Sequence, residues 1–226
     1  MIRLESCSHR YVSDDLETRA LTAVDLEFAR GEFVAVMGPS GCGKSTLLNI
    51  LATAERPSAG RYWFGNEDLA VAGEARLASF RAETLGFVFQ LFNLVDTLTV
   101  EENVALALAY GPTSRVGRGA LVAEALDRVG IAHRARYFPH QLSGGQQQRA
   151  AIARAIVTRP DLLLADEPTG NLDSESGAVI MRILASLHAE GTTIIMATHS
   201  PAHADLAGRR IDMLDGRIVS SLTSIF

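Results

Sequence analysis

Short apolar runs separated by helical patterns make up most of the 226-residue chain. Some of these runs are continuously apolar, which is typical of parallel strands buried on both faces. The continuous runs are residues 33–37, 85–89, 162–165 and 193–197. Polar and apolar positions alternate over 2–6 and 21–28, as in half-buried antiparallel strands. Residues 209–222 predict a closing hairpin, because Asp215-Gly216 is a favoured two-residue turn.

Helical periodicity is concentrated in two regions of the chain. Beyond Asp173, which can cap a helix, apolar residues recur at helical spacing and predict a helix. Residues 99–157 are rich in Ala, Glu and Arg and contain almost no strand pattern. We interpret this second region as a set of helices that includes a loop at 111–119.

The order of the elements predicts one α/β domain over residues 1–226. Its core has a mixed central sheet with helices, and an antiparallel β sub-domain accompanies it. An α-helical sub-domain at 94–157 is inserted into this core, which is otherwise formed by 1–93 and 158–226.

The composition is typical of a globular protein and disfavours some classes of partner. Hydrophobic residues make up 47% of the chain and charged residues 21%. The net charge of −5 disfavours broad nucleic-acid binding, so we expect no nucleic-acid partner. Two cysteines are too few for a disulfide framework, and no apolar run reaches the roughly 18–20 residues that span a bilayer. We therefore expect a soluble, cytoplasmic protein that reaches the inner face of the cell membrane only through a partner.

A glycine-rich segment between a predicted strand and an apolar helix carries the first chemical signal. Residues 38–45 read Gly-Pro-Ser-Gly-Cys-Gly-Lys-Ser, which is the spacing of a phosphate-binding loop. Glycines let the backbone wrap an anion, Lys44 reaches the terminal phosphates, and the Ser45 hydroxyl binds Mg²⁺. The predicted nucleotide-binding residues of this phosphate loop and the helix after it are Gly38, Ser40, Gly41, Cys42, Gly43, Lys44, Ser45 and Thr46. Cys42 is interpreted as a small residue that fits the loop; the alternative is a reactive thiol at a helix N-terminus.

An acidic pair directly follows the apolar run at 162–165. We expect Asp166 to hold Mg²⁺ through water, and Glu167 to orient or deprotonate a water that attacks the terminal phosphate. A strand that ends in Asp-Glu is weak evidence by itself. In a βα chain with a phosphate loop about 120 residues earlier, the pair indicates nucleotide hydrolysis.

The pentapeptide at residues 142–146, Leu-Ser-Gly-Gly-Gln, makes the interpretation specific. Ser143 and Gln146 have the spacing of a capping box, and the glycines leave the helix N-terminus open to an anion. With the phosphate loop, the acidic pair, Gln90 and His199, this signature segment resembles the ATP-binding cassette ATPases, the nucleotide-binding subunits of ABC transporters. The resemblance covers nearly the whole chain and implies the P-loop NTPase fold.

The resemblance also implies a homodimer in the ATP-bound state. Two chains sandwich two Mg·ATP head to tail, and the signature segment of one chain binds the γ-phosphate held by the other. The implied contacts of this segment are Ser143, Gly144, Gly145 and Gln146. Tyr11 resembles the aromatic residue that stacks on adenine, and Asp173 matches the loop that lies across the dimer seam.

Two further site residues come from the resemblance alone. Gln90 matches the glutamine that senses Mg²⁺ and the attacking water, and His199 matches the switch histidine that contacts the γ-phosphate. The other histidines, His9, His133, His140, His188 and His203, are interpreted as surface or loop residues. The segment from Leu91 to Asp96 corresponds to the family's contact with an integral-membrane permease, although its apolar residues could equally be core.

Two short motifs indicate one branch of the family. Residues 169–173, Thr-Gly-Asn-Leu-Asp, and 99–104, Thr-Val-Glu-Glu-Asn-Val, look most like members that serve lipoprotein release, macrolide-type export and cell division. The expected function is ATP hydrolysis that drives a permease of the exporter or lipoprotein-release type. Two alternatives stay open: mechanotransmission of the cell-division type, and a non-transport ATPase that acts on nucleic acid or the ribosome.

Overall fold

The computed structural model describes residues 1–13, 16–110 and 117–223. Its contacts divide the chain into two compact units. We call residues 1–77 with 193–226 the first unit, and residues 78–192 the second unit. The strands are β1 (Ile2–Ser13), β2 (Leu16–Phe28), β3 (Phe33–Met37), β4 (Ala59–Phe64), β5 (Glu67–Asp68), β6 (Leu85–Val88), β7 (Leu162–Asp166), β8 (Thr193–Thr198), β9 (Arg209–Leu214) and β10 (Arg217–Thr223). The α-helices are α1 (Lys44–Leu51), α2 (Glu74–Thr84), α3 (Val100–Leu106), α4 (Arg118–Arg128), α5 (Gly144–Ile156), α6 (Ser174–Ala189) and α7 (Pro201–Ala204).

The first unit contains an antiparallel sheet and a set of central strands. The antiparallel sheet has the order β2-β1-β4-β5, and the central strands have the order β10-β9-β3-β8. β3 pairs in parallel with both β8 and β9, while β9 and β10 form the antiparallel hairpin. β3 and β8 are buried along their whole length, as the continuous apolar runs predict. At the hairpin turn Asp215 and Gly216 both have positive φ, of 48° and 72°, which confirms the predicted turn.

The second unit contains the parallel pair β6 and β7 together with α3, α4, α5 and α6. Small residues let α5 pack closely in this unit, because Ala150, Ala151 and Ala153 are fully buried. The helical interpretation of residues 99–157 is confirmed for the described part of that region. Residues 111–116 of the predicted loop lie outside the described residues, and α4 already begins at Arg118.

The prediction of a strand buried on both faces is wrong for β6. Gly86 and Val88 are buried, whereas Leu85 and Phe87 are half-buried. A Cβ on Gly86 would lie 2.4 Å from the Ala155 carbonyl oxygen, so the glycine lets α5 approach one face of the strand. On the other face Phe87 stacks on Phe89 instead of entering a core, with ring centroids 4.2 Å apart. An apolar sequence therefore did not imply two buried faces.

Elements of weak periodicity were not predicted at all. β4, β5 and α2 fall between residues 59 and 84, where charged residues interrupt the apolar pattern. β4 is defined by its pairing with β1, whose register joins Leu4 to Tyr62. Such strands are specified by a partner that is distant in sequence, so a local pattern carries little of the information.

Candidate functional site

The phosphate loop of the first unit connects β3 to α1. It contains glycines at positions where any side chain would clash with neighbouring backbone. Gly43 has φ of 105°, and a Cβ there would lie 2.4 Å from the Ala20 carbonyl oxygen. A Cβ on Gly38 would lie 2.3 Å from the Met213 carbonyl oxygen. The loop is therefore held close to neighbouring backbone, in a shape that needs these glycines.

The ammonium group of Lys44 supplies the positive charge of the loop. The side chain is 8% exposed, and its Nζ donates hydrogen bonds to the carbonyl oxygens of Gly38 at 2.8 Å and Pro39 at 3.1 Å. These are neutral acceptors, so the charge stays available to an anion. No carboxylate of the described residues pairs with this buried ammonium group, which favours binding of a phosphate.

The start of α1 provides hydrogen-bond donors. Its N-cap is Gly43, in a left-handed conformation, and no side chain caps the helix. Ser45 is exposed and Thr46 is buried in this first turn. Because the first N–H groups of a helix have no acceptor within the helix, this end attracts an anion through both its donors and its dipole.

Cys42 lies inside the loop with its side chain packed. The residue is 3% exposed, and a Cβ on Gly38 would lie 2.6 Å from its Sγ. A buried thiol in close contact with the backbone is slow to react with a bulky reagent. The packing favours the interpretation of Cys42 as a small residue that fits the loop.

His199 and Tyr11 both lie near the phosphate loop in the first unit. Met37 and Thr198 are paired across β3 and β8, so Gly38 and His199 leave neighbouring parallel strands at the same edge of the sheet. His199 is exposed there. Tyr11 extends from β1 to α1, where its hydroxyl oxygen lies 3.3 Å from Thr46 Oγ1. The structure therefore brings these two predicted residues together with the loop.

The acidic pair lies at the end of β7 in the second unit. Asp166 is half-buried, and its Oδ1 is one of the few buried polar atoms of the described chain without a hydrogen-bond partner. A carboxylate oxygen in that state fits a metal ion or its bound water as a partner. Glu167 follows with a positive φ of 46°, a strained conformation that is frequent at functional sites.

Gln90 approaches the same end of the second unit. β6 and β7 are parallel and pair Val88 with Ala165, so the chain leaves both strands side by side. A Cβ on Gly170 would lie 2.9 Å from the Gln90 side-chain nitrogen and 3.4 Å from the Glu167 carbonyl oxygen. The Gln90 side chain and the Glu167 backbone therefore both lie next to Gly170.

The signature segment begins α5 with a complete capping box. Ser143 Oγ accepts from the Gln146 N–H, and the Ser143 N–H donates to Gln146 Oε1 at 3.0 Å. A Cβ on Gly145 would lie 2.7 Å from Ser176 Oγ, so the start of α5 contacts the start of α6. Asp173 caps α6, and its hydrogen bonds from Ser176 hold the pKa of its carboxyl below the usual value. The signature segment and the Asp173 loop are thus in direct contact.

A family model described as ABC transporter matches residues 21–170. The chain belongs to the ABC transporter family. A relative in Paracoccus denitrificans, named macrolide export ATP-binding/permease protein MacB 1/2, is 46% identical over 220 residues, which cover 97% of this chain and 33% of that protein. The chain thus spans about a third of the length of the macrolide-export relatives it matches.

Other relatives of this ABC cassette have its own length. The uncharacterized ABC transporter ATP-binding protein MJ1508 of Methanocaldococcus jannaschii is 44% identical, over 97% of this chain and 98% of that protein. Among solved structures, the dimeric ATP-binding cassette MJ0796, bound to ADP and Pi in a post-hydrolysis state, has a TM-score of 0.92 at 38% identity. That match covers 100% of both chains, which confirms the fold of an ABC ATPase. In the described part of the cassette, no helix is both long and apolar enough to cross a membrane.

The segment after Gln90 in this ABC cassette has an exposed tip on a fixed base. Leu91 is 72% exposed, while Phe92 and Asn93 have positive φ of 60° and 51°. The guanidinium group of Arg154, from the last turn of α5, donates to the carbonyl oxygens of Phe92 at 2.9 Å and Asn93 at 2.5 Å. An exposed apolar residue on a fixed base suits contact with another protein.

Sequence reasoning missed the side chains that fix Gln90 and the neighbouring segments within the second unit. Arg154 is one, and Asn171, whose Nδ2 donates to the Gln90 carbonyl oxygen at 3.1 Å, is another. Gln148 is fully buried, and its Nε2 donates to the carbonyl oxygens of Pro168 at 2.7 Å and Phe89 at 3.3 Å. The sequence did contain a signal for Gln148, because it is a polar residue on the otherwise apolar, buried face of α5.

The interpretation of His9 as a surface or loop residue is wrong. His9 lies in β1 with its side chain only 11% exposed. Its ring is held between Glu55 and the backbone of Arg56, which is a contact that a local sequence pattern does not reveal.

Proposed function

We propose that this cassette hydrolyses Mg·ATP in a head-to-tail homodimer and thereby drives a membrane permease of the exporter or lipoprotein-release type. The observation that carries the proposal is the phosphate loop, where a buried ammonium group and an uncapped helix start offer positive charge and donors to an anion. The relatives named above are called export and transporter proteins, so we favour transport over an action on nucleic acid.

The donors present fit Mg²⁺. Asp166 Oδ1 has no hydrogen-bond partner within the described part of the chain, and carboxylate, hydroxyl and amide oxygens are the ligands that this ion prefers. Ser45, Gln90 and Asp166 are the proposed ligands, directly or through water. When bound, Mg²⁺ neutralises charge on the phosphates and orients them.

The residues of the chain then have distinct roles toward ATP. Lys44 exchanges its contacts with the loop carbonyls for contacts with the β- and γ-phosphates. Glu167 orients the attacking water and accepts its proton as the oxygen bonds to the γ-phosphorus. The bond from that phosphorus to the ADP oxygen breaks in line, which releases ADP and inorganic phosphate. His199 contacts the γ-phosphate, and Tyr11 stacks on adenine.

A second copy completes each site in this proposal. The N–H groups at the start of α5, with Ser143 and Gly145, face the γ-phosphate held by the other copy, and Asp173 lies at the seam. Hydrolysis therefore depends on closure of the dimer, so an isolated subunit turns over slowly. The segment at residues 91–96 contacts the membrane permease. Closure of the dimer is transmitted to the permease through this contact.

Sedimentation of the Glu167→Gln variant tests the dimer. With Mg·ATP we expect a shift from the 24.3 kDa monomer to a dimer, because bound ATP is no longer consumed. With ADP the variant should stay monomeric. A monomer at every ATP concentration, with ATP binding intact, would contradict the proposed sandwich.

Co-purification from detergent-solubilised native membranes tests the partner. We compare the wild-type cassette with Leu91→Glu, which places a charge at the exposed tip. A permease with about four transmembrane helices that is lost with Leu91→Glu supports both the branch and the contact. Ribosomal proteins in place of a membrane protein would favour the non-transport alternative. Cargo transport by the purified assembly separates export from mechanotransmission.

A further inference from the structure

The phenol of Tyr11 is anchored at its hydroxyl group. This hydroxyl donates a 2.7 Å hydrogen bond to Glu55 Oε2 and also lies 3.3 Å from Thr46 Oγ1. Thr46 belongs to the first turn of α1, directly after the phosphate loop. All three residues lie in the first unit, so the aromatic ring is tied to the element that carries the phosphate-binding groups.

Glu55 is the centre of this cluster. Its Oε1 accepts from Asn49 Nδ2 at 3.1 Å, and its Oε2 lies 3.2 Å from His9 Nε2. The ring of His9 also meets the ring of Tyr11 edge to face, with centroids 4.7 Å apart. A carboxylate with partners on both oxygens has little rotational freedom, so it fixes the direction of the Tyr11 hydroxyl bond.

The backbone around Glu55 is fixed as well. The N–H groups of Ala54 and Glu55 both donate to the Asn49 carbonyl oxygen, at 2.9 and 3.2 Å, at the end of α1. The Ser58 N–H donates to the Ser8 carbonyl oxygen of β1 at 2.8 Å. Tyr11 itself is 42% exposed, so its hydroxyl end is held while part of the ring stays open to a ligand. Burial and the bond to Glu55 raise the pKa of Tyr11, which agrees with a hydroxyl group that donates to a carboxylate.

We propose that Glu55 is a positioning residue for the nucleotide, which acts through Tyr11 by holding the ring in the orientation that receives the base. This inference rests on the proposed function, in which Tyr11 stacks on adenine. Because the ring is ordered when the chain folds, its ordering cost is not incurred again when ATP binds. His9 supports the same arrangement, because its Nε2 lies 3.2 Å from Oε2, the oxygen that accepts from Tyr11.

The proposal and simple electrostatics predict opposite changes in ATP affinity when the Glu55 carboxylate is removed. A carboxylate near an ATP site repels the anionic ligand, so its removal alone would tighten ATP binding. If Glu55 positions Tyr11, its removal weakens ATP binding instead. The direction of the change therefore separates the two effects.

The experiment is calorimetric titration of the purified chain with a non-hydrolysable Mg·ATP analogue. For Glu55→Ala and for Tyr11→Phe we expect the Kd to rise roughly three- to tenfold, which corresponds to the net contribution of one typical hydrogen bond. In the double variant the rise should be no larger than in Tyr11→Phe alone, because both changes remove the same bond. Glu67→Ala, which removes another carboxylate of the first unit that is paired with Arg76, serves as the matched control with unchanged Kd.

Tyr11→Ala separates failure of this inference from failure of the proposed function. If Tyr11→Ala leaves the Kd unchanged, Tyr11 does not stack on the base and both are overturned for this residue. If Tyr11→Ala weakens binding but Glu55→Ala does not, or if the two effects simply add, the positioning role alone is overturned. If Glu55→Ala fails to fold, Glu55→Gln is used, because it keeps the size of the side chain and replaces one acceptor oxygen with a donor.

Discussion

The starts of α1 and α5 are both helix N-termini that the sequence predicts to bind phosphate, yet they are built differently. α1 begins after a left-handed glycine and has no side-chain cap, whereas α5 begins with Ser143 and Gln146 in a complete capping box. α1 also has a buried lysine at its first position, and α5 has no charged residue in its first turn.

The difference indicates a division of labour between the two helix starts. At α5 the capping box satisfies donors in the free chain, so the helix end is formed before any ligand arrives. At α1 the donors and the ammonium group are left for a phosphate, so that end gains most from a ligand. We infer that α1 provides affinity for nucleotide, and that α5 provides a preformed surface for a nucleotide held elsewhere.

The largest expected effect is that of Glu167→Gln on ATP hydrolysis. Because bound ATP is no longer consumed, we expect both helix starts to stay in contact with it. Loss of the general base should slow steady-state ATP hydrolysis by roughly 10²- to 10⁴-fold, while ATP affinity stays within about twofold. Asp161→Asn, at an exposed acidic residue just before β7, is the matched control. Near-normal turnover in Glu167→Gln would remove Glu167 from the role of base.

Lys44→Ala tests whether α1 is the source of affinity. We expect ATP affinity to fall by roughly 10- to 100-fold, because the charge-assisted contact to phosphate is lost. Titration with Mg·ATP measures the loss. Arg56→Ala, an exposed cation of the same unit, should leave affinity unchanged. Tight binding by Lys44→Ala would assign affinity to another group.

Gly43→Ala tests the glycine construction of the α1 start. The new Cβ would meet the Ala20 carbonyl oxygen in a left-handed conformation, so we expect about 2 kcal/mol or more of lost stability in urea unfolding. Gly41→Ala is the control for conformation alone, since its φ is also positive but no atom lies within 4 Å of its Cβ. Equal losses in the two variants would show that the close approach at Gly43 costs nothing.

Ser143→Ala tests whether the α5 start acts as more than a cap. Removal of the cap should cost about 1 kcal/mol of stability. The second unit offers a matched control in Thr99→Ala, because Thr99 and Glu102 form the same capping box at α3. Both variants should lose similar stability, but only Ser143→Ala should also lose hydrolysis in the dimer. Equal rates of ATP hydrolysis in the Ser143→Ala and Thr99→Ala variants would show that Ser143 acts only as a helix cap.

The chemistry of the site was readable from local sequence because it depends on local geometry. Each of its sequence signals involves residues within a few positions of one another. They are the phosphate loop, the helix caps formed by Ser143 and Asp173, and the strand before Asp166. Tyr11, Gln90 and His199 came from family resemblance and not from pattern. Contacts between residues far apart in sequence were missed, including Glu55 with Tyr11 and Gln148 with Pro168.

The sequence by itself determined the central strands, where the phosphate loop lies and which family the chain resembles, since these depend on periodicity and on short motifs. It did not determine β4 and β5. Only the tertiary structure decided that β6 has one half-open face, that Arg154 fixes the segment after Gln90, and that His9 and Glu55 hold Tyr11. The physical reason is that burial and side-chain hydrogen bonds depend on which distant residues fill the space around a group. A local pattern does not encode that information.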